Sequence, residues 1–325
     1  MTTKAHAISA QQTTTMRRPF PLLSVIAWEL RRLARSRLTW ILGVVAFSVF
    51  LLILWIERGP STFGTNYQSP DLSFAFSSNI PYLSPAWLSD QLYRSALLLL
   101  LMALPFLCAD GVTRDLKRHT HELVMTTALP SWAYVWGRYV IVLLLGLGLA
   151  VELLAAMLVM GLVLHLSLSG YDYPVPQVGP VLAFWAALVL PGVVLISSAS
   201  FVLGTLLPQR ANLVKIGMMA GWLILVQIVN ARAFWHQLPM WYMNWEPSGA
   251  FLSSVYDQVF ADIVRTAGTG PTRNQALLQS IFDTTRYQLP DLWAWLGPHL
   301  IWAALALVLV ALASISFKRF RNAIN

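Results

Sequence analysis

Six apolar stretches, each long enough to cross a lipid bilayer, constrain this chain more than any other feature. A spanning helix needs about 20 mostly apolar residues, and stretches of this kind recur through the sequence. They cover residues 38–57, 92–109, 139–165, 178–206, 211–230 and 293–317. Only 11% of the 325 residues are charged, too few to cover a water-soluble protein of this size. The sequence therefore predicts an all-α integral membrane protein with six transmembrane helices.

The distribution of positive charge predicts the orientation of these spans. When both termini are placed in the cytoplasm, most of the 22 Lys and Arg residues fall on the cytoplasmic side, and most of the 14 acidic residues fall outside. Membrane insertion favours this asymmetry. It predicts a multi-pass protein of the cell membrane with cytoplasmic termini. It also accounts for the net charge of +8 without a nucleic-acid partner.

The chain divides around the spans into a tail, an amphipathic helix and a membrane domain. Residues 1–21 are polar and predict a disordered cytoplasmic tail, residues 22–37 predict the amphipathic helix, and residues 38–325 form the membrane domain. Within that domain, segments 58–91 and 231–292 are expected outside the membrane. The second has helical periodicity, which predicts short external helices in the outer leaflet or in a soluble cap.

The helix predicted over residues 22–37 carries Glu29, Arg31, Arg32 and Arg35 on its polar face. An Arg-rich amphipathic helix beside a span is typical of the inner membrane interface. Two interpretations of this polar face remain open at this point. It is either an anchor for anionic lipid or a docking element for a cytoplasmic partner.

No motif in the sequence predicts catalysis or a metal centre. His121 and Glu122 begin a zinc-protease pattern, but Met125 stands where the second His ligand is required. His119 and His121 are two residues apart and point away from each other on a helix. Phosphate-binding loops and nucleophile elbows are absent from the sequence. We therefore expect no enzyme activity, cofactor or metal in this chain, and any ATP hydrolysis that drives it must occur on another polypeptide.

Glu152 is the one carboxylate deep within a predicted span. A charged acid at the bilayer centre costs about 3 kcal/mol, so the side chain should face protein or a wet cavity. One interpretation is a substrate or proton contact on a pathway that includes Ser197, Ser198 and Gln227. The other is a protonated Glu152 that hydrogen-bonds one of these three residues.

Two glycines in the fifth predicted span, Gly217 and Gly221, are four residues apart. Small residues at this spacing let two membrane helices approach closely. The pair predicts either a dimer face or close packing within one subunit.

A compact polar block separates the second and third predicted spans. It reads TRDLKRHTHELVMTTALPSWAYVWGRY over residues 113–139, and the amphipathic helix before the first span contains WELRRLARSRLTW. Together these segments resemble ABC-2-type permeases, the membrane subunits of ATP-binding-cassette exporters with the six-span type V exporter fold. The chain departs from the family at His119, where Gly is usual, and at Arg138, where Lys is usual. The positions that carry the resemblance are Thr120, Glu122-Leu123, Thr126-Thr127, Pro130 and Gly137-Arg138-Tyr139, the last with Arg138 in place of Lys.

The resemblance implies that residues 110–136 are a cytoplasmic coupling segment, with a helix that seats on a nucleotide-binding subunit. The residues that would contact this ATPase are Arg114, Asp115, Lys117, Arg118, His121 and Glu122. The amphipathic helix would then be the elbow helix of such a permease.

The resemblance also implies partners and a function. The partners are an ABC ATPase subunit that binds ATP and Mg²⁺, a second permease subunit that is identical or related, and membrane lipids. The expected function is export of a hydrophobic or amphipathic substrate. The alternative is an ion- or proton-coupled secondary transporter that uses Glu152 and needs no ATPase.

Overall fold

The computed structural model of the chain describes residues 21–57, 97–112, 130–167, 178–235, 245 and 292–323. Within these ranges the elements are helical and no strand occurs, which confirms the expected all-α class. In chain order the elements are α1 (Pro21–Arg35), α2 (Arg37–Glu57), α3 (Leu98–Cys108), α4 (Ser131–Ser167), α5 (Val178–Phe184), a π-helix (Trp185–Val189), α6 (Leu190–Leu206), a 3-10 helix (Pro208–Arg210), α7 (Ala211–Trp235) and α8 (Leu292–Ala323).

Four of the described helical segments are long and apolar enough to cross a membrane. They lie at the first, third, fourth and sixth predicted spans, and they are Arg37–Trp55, Ser131–Val163, Trp185–Leu206 and Leu296–Phe317. A shorter apolar helix, Leu98–Val112, lies at the second predicted span, and the 25-residue α7 covers the fifth. The chain is therefore a membrane protein, while the count of six spans stays a prediction. The predicted external helices lie outside the described residues.

A break of one residue separates α1 from α2. The Ser36 backbone N–H donates to the Leu33 carbonyl at 3.0 Å, and the Thr39 N–H donates to the Ser36 carbonyl at 3.1 Å. These short-range bonds satisfy backbone groups that a helix end leaves unpaired. The predicted elbow helix and first span therefore follow each other almost without interruption.

The core of the described chain lies between α3, α4, α6 and α8. α6 packs most extensively on α8 and also contacts α3 and α4. The side chains of Leu104, Leu153, Phe201 and Val310 are fully buried there. At the tightest point, a Cβ added at Gly204 would lie 2.2 Å from the carbonyl oxygen of Ala109. Glycine at this position lets α3 and α6 touch backbone to backbone.

The fourth predicted span is continuous but irregular. A π-helix over Trp185–Val189 ends two residues before Pro191. Proline removes one helical hydrogen bond and crowds the preceding turn, and a π-turn is one way a helix absorbs that crowding. The Trp185 Nε1–H donates to the Ala150 carbonyl at 2.7 Å, which fixes the irregular turn against α4.

The end of α3, the start of α4, the end of α6 and the start of α7 lie at one end of the bundle. Lys215 on α7 pairs with Asp110, just after α3, at 2.5 Å. The hydroxyls of Tyr139 on α4 and Ser198 on α6 are hydrogen-bonded at 2.8 Å. The predicted topology assigns these helix ends to the same side of the membrane, and the packing agrees with that assignment.

Candidate functional site

The residues that the resemblance assigns to the ATPase contact lie outside the described chain. They are Arg114, Asp115, Lys117, Arg118, His121 and Glu122. The structure does describe the C-terminal part of the polar block, because α4 begins at Ser131 rather than at residue 139, where the sequence predicts the third span. The Pro130 carbonyl accepts the backbone N–H groups of Ala133 and Tyr134 at 3.0 and 3.2 Å. This part of the block is therefore the first two turns of a long helix.

Those first turns of α4 hold α1 through a set of contacts that we name the elbow junction. It consists of Trp28, Glu29 and Arg32 on α1 with Tyr134 and Arg138 on α4. The Glu29 carboxylate accepts a hydrogen bond from Arg138 Nη1, and Arg32 Nη2 lies 2.7 Å from its second oxygen. This second contact is an ion pair outside hydrogen-bond geometry. Glu29 is fully buried and Arg138 is 6% exposed, so the pair is shielded from water.

Aromatic rings enclose the Arg138 guanidinium. Its central carbon lies 5.9 Å from the centre of the Trp28 ring and 5.5 Å from that of Tyr134. Arg32 lies 5.7 Å from the same Trp28 ring. Such cation–π contacts stabilise a guanidinium by about 0.5–2 kcal/mol, more when it is desolvated. They compensate part of the cost of burying Arg138.

A glycine beside the ion pair permits the close approach of α1. A Cβ added at Gly137 would lie 2.7 Å from Cγ1 of Val25, so any other residue would push the two helices apart. The Gly137-Arg138-Tyr139 sequence of the block therefore has three structural roles. Gly137 admits α1, Arg138 pairs with it, and Tyr139 bonds Ser198 on α6.

The predicted polar face of the elbow helix divides in the structure. Arg31 and Arg35 are exposed and Arg32 is partly exposed, whereas Glu29 lies on the side that packs on α4. The structure thus differs from the sequence interpretation for Glu29. Helical periodicity places a charged residue on a face, but only the neighbouring helix decides whether that face meets water or a buried arginine.

Glu152 lies between α4 and α2. Its Oε1 is 2.8 Å from where a Cβ at Gly43 would stand, so this glycine of α2 makes room for the carboxyl group. Among the described residues, the Oε2 atom is buried and has no hydrogen-bond partner. The interval from Glu29 in α1 to Gly43 in α2 has the same number of residues as the interval from Arg138 to Glu152 in α4. Each interval covers about 21 Å of helix. α1 and α2 therefore run alongside α4 between these two contacts.

The structure does not bring Glu152 together with the serines that the sequence grouped with it. Ser198 bonds Tyr139, which is about 20 Å from Glu152 along the α4 axis. Ser197 contacts Gly146, where an added Cβ would lie 3.1 Å from its Oγ. Gln227 is in α7, but its side chain is outside the described set.

Gly217 and Gly221 are exposed on α7, and a Cβ added at either would meet no described atom within 4 Å. In the described part of the chain, these glycines therefore do not serve packing within the subunit. The dimer face stays a prediction.

Two partners in these contacts were not foreseen from the sequence. The resemblance marks Arg138 only as part of the Gly-Arg-Tyr match, and no sequence motif indicates that Asp110 pairs with Lys215. For Asp110 and Lys215, the signal in the sequence is an acid and a base near the ends of two spans that are predicted to lie on the same side of the membrane.

The elbow junction joins α1 and α4 by an ion pair and cation–π contacts. Among the described residues no group of three or more His, Cys, Asp or Glu side chains is placed to hold a metal ion. Comparisons of the chain with protein-family models, with curated proteins and with solved structures found no match in any of the three.

Proposed function

We propose that this chain is the membrane-spanning permease subunit of an ATP-binding-cassette transporter, driven by a separate ATPase subunit. Two permease subunits, identical or related, form the pathway, and it exports a hydrophobic or amphipathic substrate. The observation that carries the proposal is the polar block over residues 113–139, with its likeness to the coupling segment of ABC-2-type permeases. The elbow junction supports it, because it links that block to the helix before the first span.

The junction provides a route for force. A displacement of the segment before Pro130 acts on the first turn of α4, since Ser131 directly follows it. Because Arg138 is bonded to Glu29, α1 moves with α4 rather than slipping past it. α2 follows α1 after one residue. A push from an ATPase would therefore tilt two spans together and shift the pathway between inward and outward access.

The test begins with isolation of the full chain from its native membrane. We expect an ATP-binding subunit to be recovered with it, and ATP to be required for transport in reconstituted vesicles. Replacing Arg118 and Glu122 with Ala should uncouple ATP hydrolysis from transport while membrane insertion is unchanged. The control is Arg210→Ala, which removes an exposed charge between α6 and α7. Transport by the chain without any ATPase would contradict the proposal.

A second candidate function is ion- or proton-coupled transport through Glu152. The observation that favours it is the buried Oε2 of Glu152, which has no hydrogen-bond partner among the described residues. Ionisable groups within membrane spans often mark ion or proton routes. ATP-independent transport that is lost in Glu152→Gln would establish this alternative.

A further inference from the structure

The three sides of α1 face three different surroundings. One side packs on α4 through Val25 and Glu29. A second side is an exposed apolar stripe that consists of Leu23, Ala27, Leu30 and Ala34. The third side is an exposed basic edge that consists of Ser24, Arg31 and Arg35. At 100° per residue, the basic edge lies about 90° around the helix from the apolar stripe.

The apolar stripe continues into the first membrane-spanning helix. The stripe continues past the one-residue break at Ser36 with the same spacing of three or four residues. It then includes Leu38, Ile41 and Val45 of α2, which are all exposed. Because α2 belongs to a segment long and apolar enough to cross the membrane, we expect its exposed side to face lipid. A stripe that is continuous with this side meets the same lipid.

The basic edge lies where lipid phosphates are expected. Arg31 and Arg35 are four residues apart and share one side of α1, within about 10 Å of the start of α2. Neither forms an ion pair with a carboxylate of the described chain. Arginine side chains can lay their apolar stems along a lipid surface and present the guanidinium to phosphate.

We propose that α1 binds anionic phospholipid of the leaflet that surrounds it, with the apolar stripe at the acyl chains and with Arg31 and Arg35 on the phosphates. A lipid surface fits better than an acidic protein partner because the arginines flank a lipid-facing stripe. A soluble subunit offers acidic groups but no acyl layer for Leu23 and Leu30. The proposal is independent of the transport function, since it concerns binding to the isolated chain.

The size of the effect follows from electrostatics near an anionic membrane. One basic residue at such a surface strengthens binding about fivefold. Loss of both arginines should therefore weaken the preference for anionic over zwitterionic lipid by about 25-fold. The preference should also fall with rising salt, since exposed charges are screened.

The experiment is a titration of the purified full chain with phosphatidylglycerol or phosphatidylcholine, with bound lipids counted by native mass spectrometry. We expect a preference for phosphatidylglycerol that is largely lost in Arg31→Gln/Arg35→Gln and retained in the charge-matched Arg31→Lys/Arg35→Lys. An unchanged preference in the Gln variant would overturn the proposal. If the Gln variant also loses a co-purifying ATPase subunit while its lipid preference is unchanged, the basic edge binds a protein partner instead.

A second measurement remains informative if the Gln variant does not fold. Cys108, the single cysteine of the chain, is fully buried, so a thiol introduced on α1 can be labelled selectively. A polarity-sensitive dye on Leu23→Cys should report an apolar environment in nanodiscs that contain phosphatidylglycerol. The same dye on the neighbouring Ser24→Cys should report a wetter one. Equal, water-like signals at both positions would overturn the proposal.

Discussion

The Glu29 carboxylate on α1 accepts a hydrogen bond from the Arg138 guanidinium on α4, and neither side chain is open to water. The bond connects the helix before the first span to the helix that begins within the polar block. It is more directional than the neighbouring contacts between these helices, which are the cation–π contact of Trp28 with Arg138 and the apolar contact of Val25 with Gly137.

Removing one member of this pair should destabilise the protein strongly. Glu29→Met removes the carboxylate that is bonded to the buried Arg138 charge, at a cost of about 3–5 kcal/mol. Arg138→Met should cost less, because Arg32 still lies 2.7 Å from Glu29. The double variant Glu29→Met/Arg138→Met should recover most of the loss, since an apolar pair removes both desolvation costs.

The measurement for these variants is the temperature at which Cys108 reacts with a maleimide in detergent, since this buried thiol is exposed only on unfolding. A Glu29→Met chain that is as stable as the parent would contradict the buried ion pair.

The same double variant should separate stability from function. Methionines restore packing but do not fix the orientation of α1 on α4, so we expect less transport per ATP hydrolysed in the reconstituted complex. Arg32→Met is the control, because it keeps the Glu29–Arg138 bond. Full coupling in a folded double variant would show that the junction only stabilises the protein.

Gly204 should not tolerate even a methyl group. The Cβ of Gly204→Ala would lie 2.2 Å from the Ala109 carbonyl oxygen, so α3 and α6 must separate, with an overpacking cost of about 1–3 kcal/mol. Gly217→Ala is the matched control, because no described atom lies within 4 Å of its added Cβ. Its better helix propensity should stabilise α7 by up to about 1 kcal/mol. Thermal unfolding curves in which both variants lose stability equally would contradict the close α3–α6 contact.

If α7 forms the contact between two permease subunits, large residues at its glycines should weaken the dimer. We expect Gly217→Leu/Gly221→Leu to shift the solubilised protein towards monomer, because the helices can no longer approach closely. Gly148→Leu is the control, since Gly148 on α4 is also exposed and open among the described residues. Light scattering on the purified protein gives the mass. A dimer fraction that is the same in both variants would place the subunit contact elsewhere.

Glu152→Met should make the protein more stable. The variant removes a buried carboxyl oxygen that has no hydrogen-bond partner among the described residues. Removal of such an unsatisfied group should raise the free energy of unfolding by about 1–3 kcal/mol. Methionine is also flexible enough to fill the space beside Gly43. The Cys108 unfolding assay measures the change, and a less stable variant would show that the carboxyl group has a partner. Transport assays on the same variant then decide between the two candidate functions.

The sequence alone predicted the helical class and the approximate position of each described helix. Leu292–Ala323 and Ala211–Trp235 contain the predicted sixth and fifth spans, and the fourth has the predicted bounds. These predictions succeeded because backbone groups in a bilayer must bond within their own segment, so an apolar run becomes a helix wherever it occurs. The start of α4 was predicted eight residues too late, because Ser131 to Arg138 are not apolar enough to be counted as a span.

The candidate site was only partly accessible from sequence. Helical periodicity identified α1 as amphipathic, and the Gly137-Arg138-Tyr139 motif contains the α4 residues that contact α1 and α6. The sequence did not pair Glu29 with Arg138, and it grouped Glu152 with Ser198, which bonds Tyr139 about 20 Å from Glu152 along the α4 axis. Hydropathy gives the depth and length of a helix but not its rotation about its own axis.

The sequence by itself therefore determined that this chain is a set of membrane helices preceded by a basic amphipathic one. The tertiary structure decided which side of each helix meets another. Lipid tails are as apolar as the helix surfaces, so the choice of neighbours depends on close packing at glycines such as Gly137 and Gly204 and on the few buried polar contacts. Those contacts join residues far apart in the chain, and only the folded arrangement brings them together.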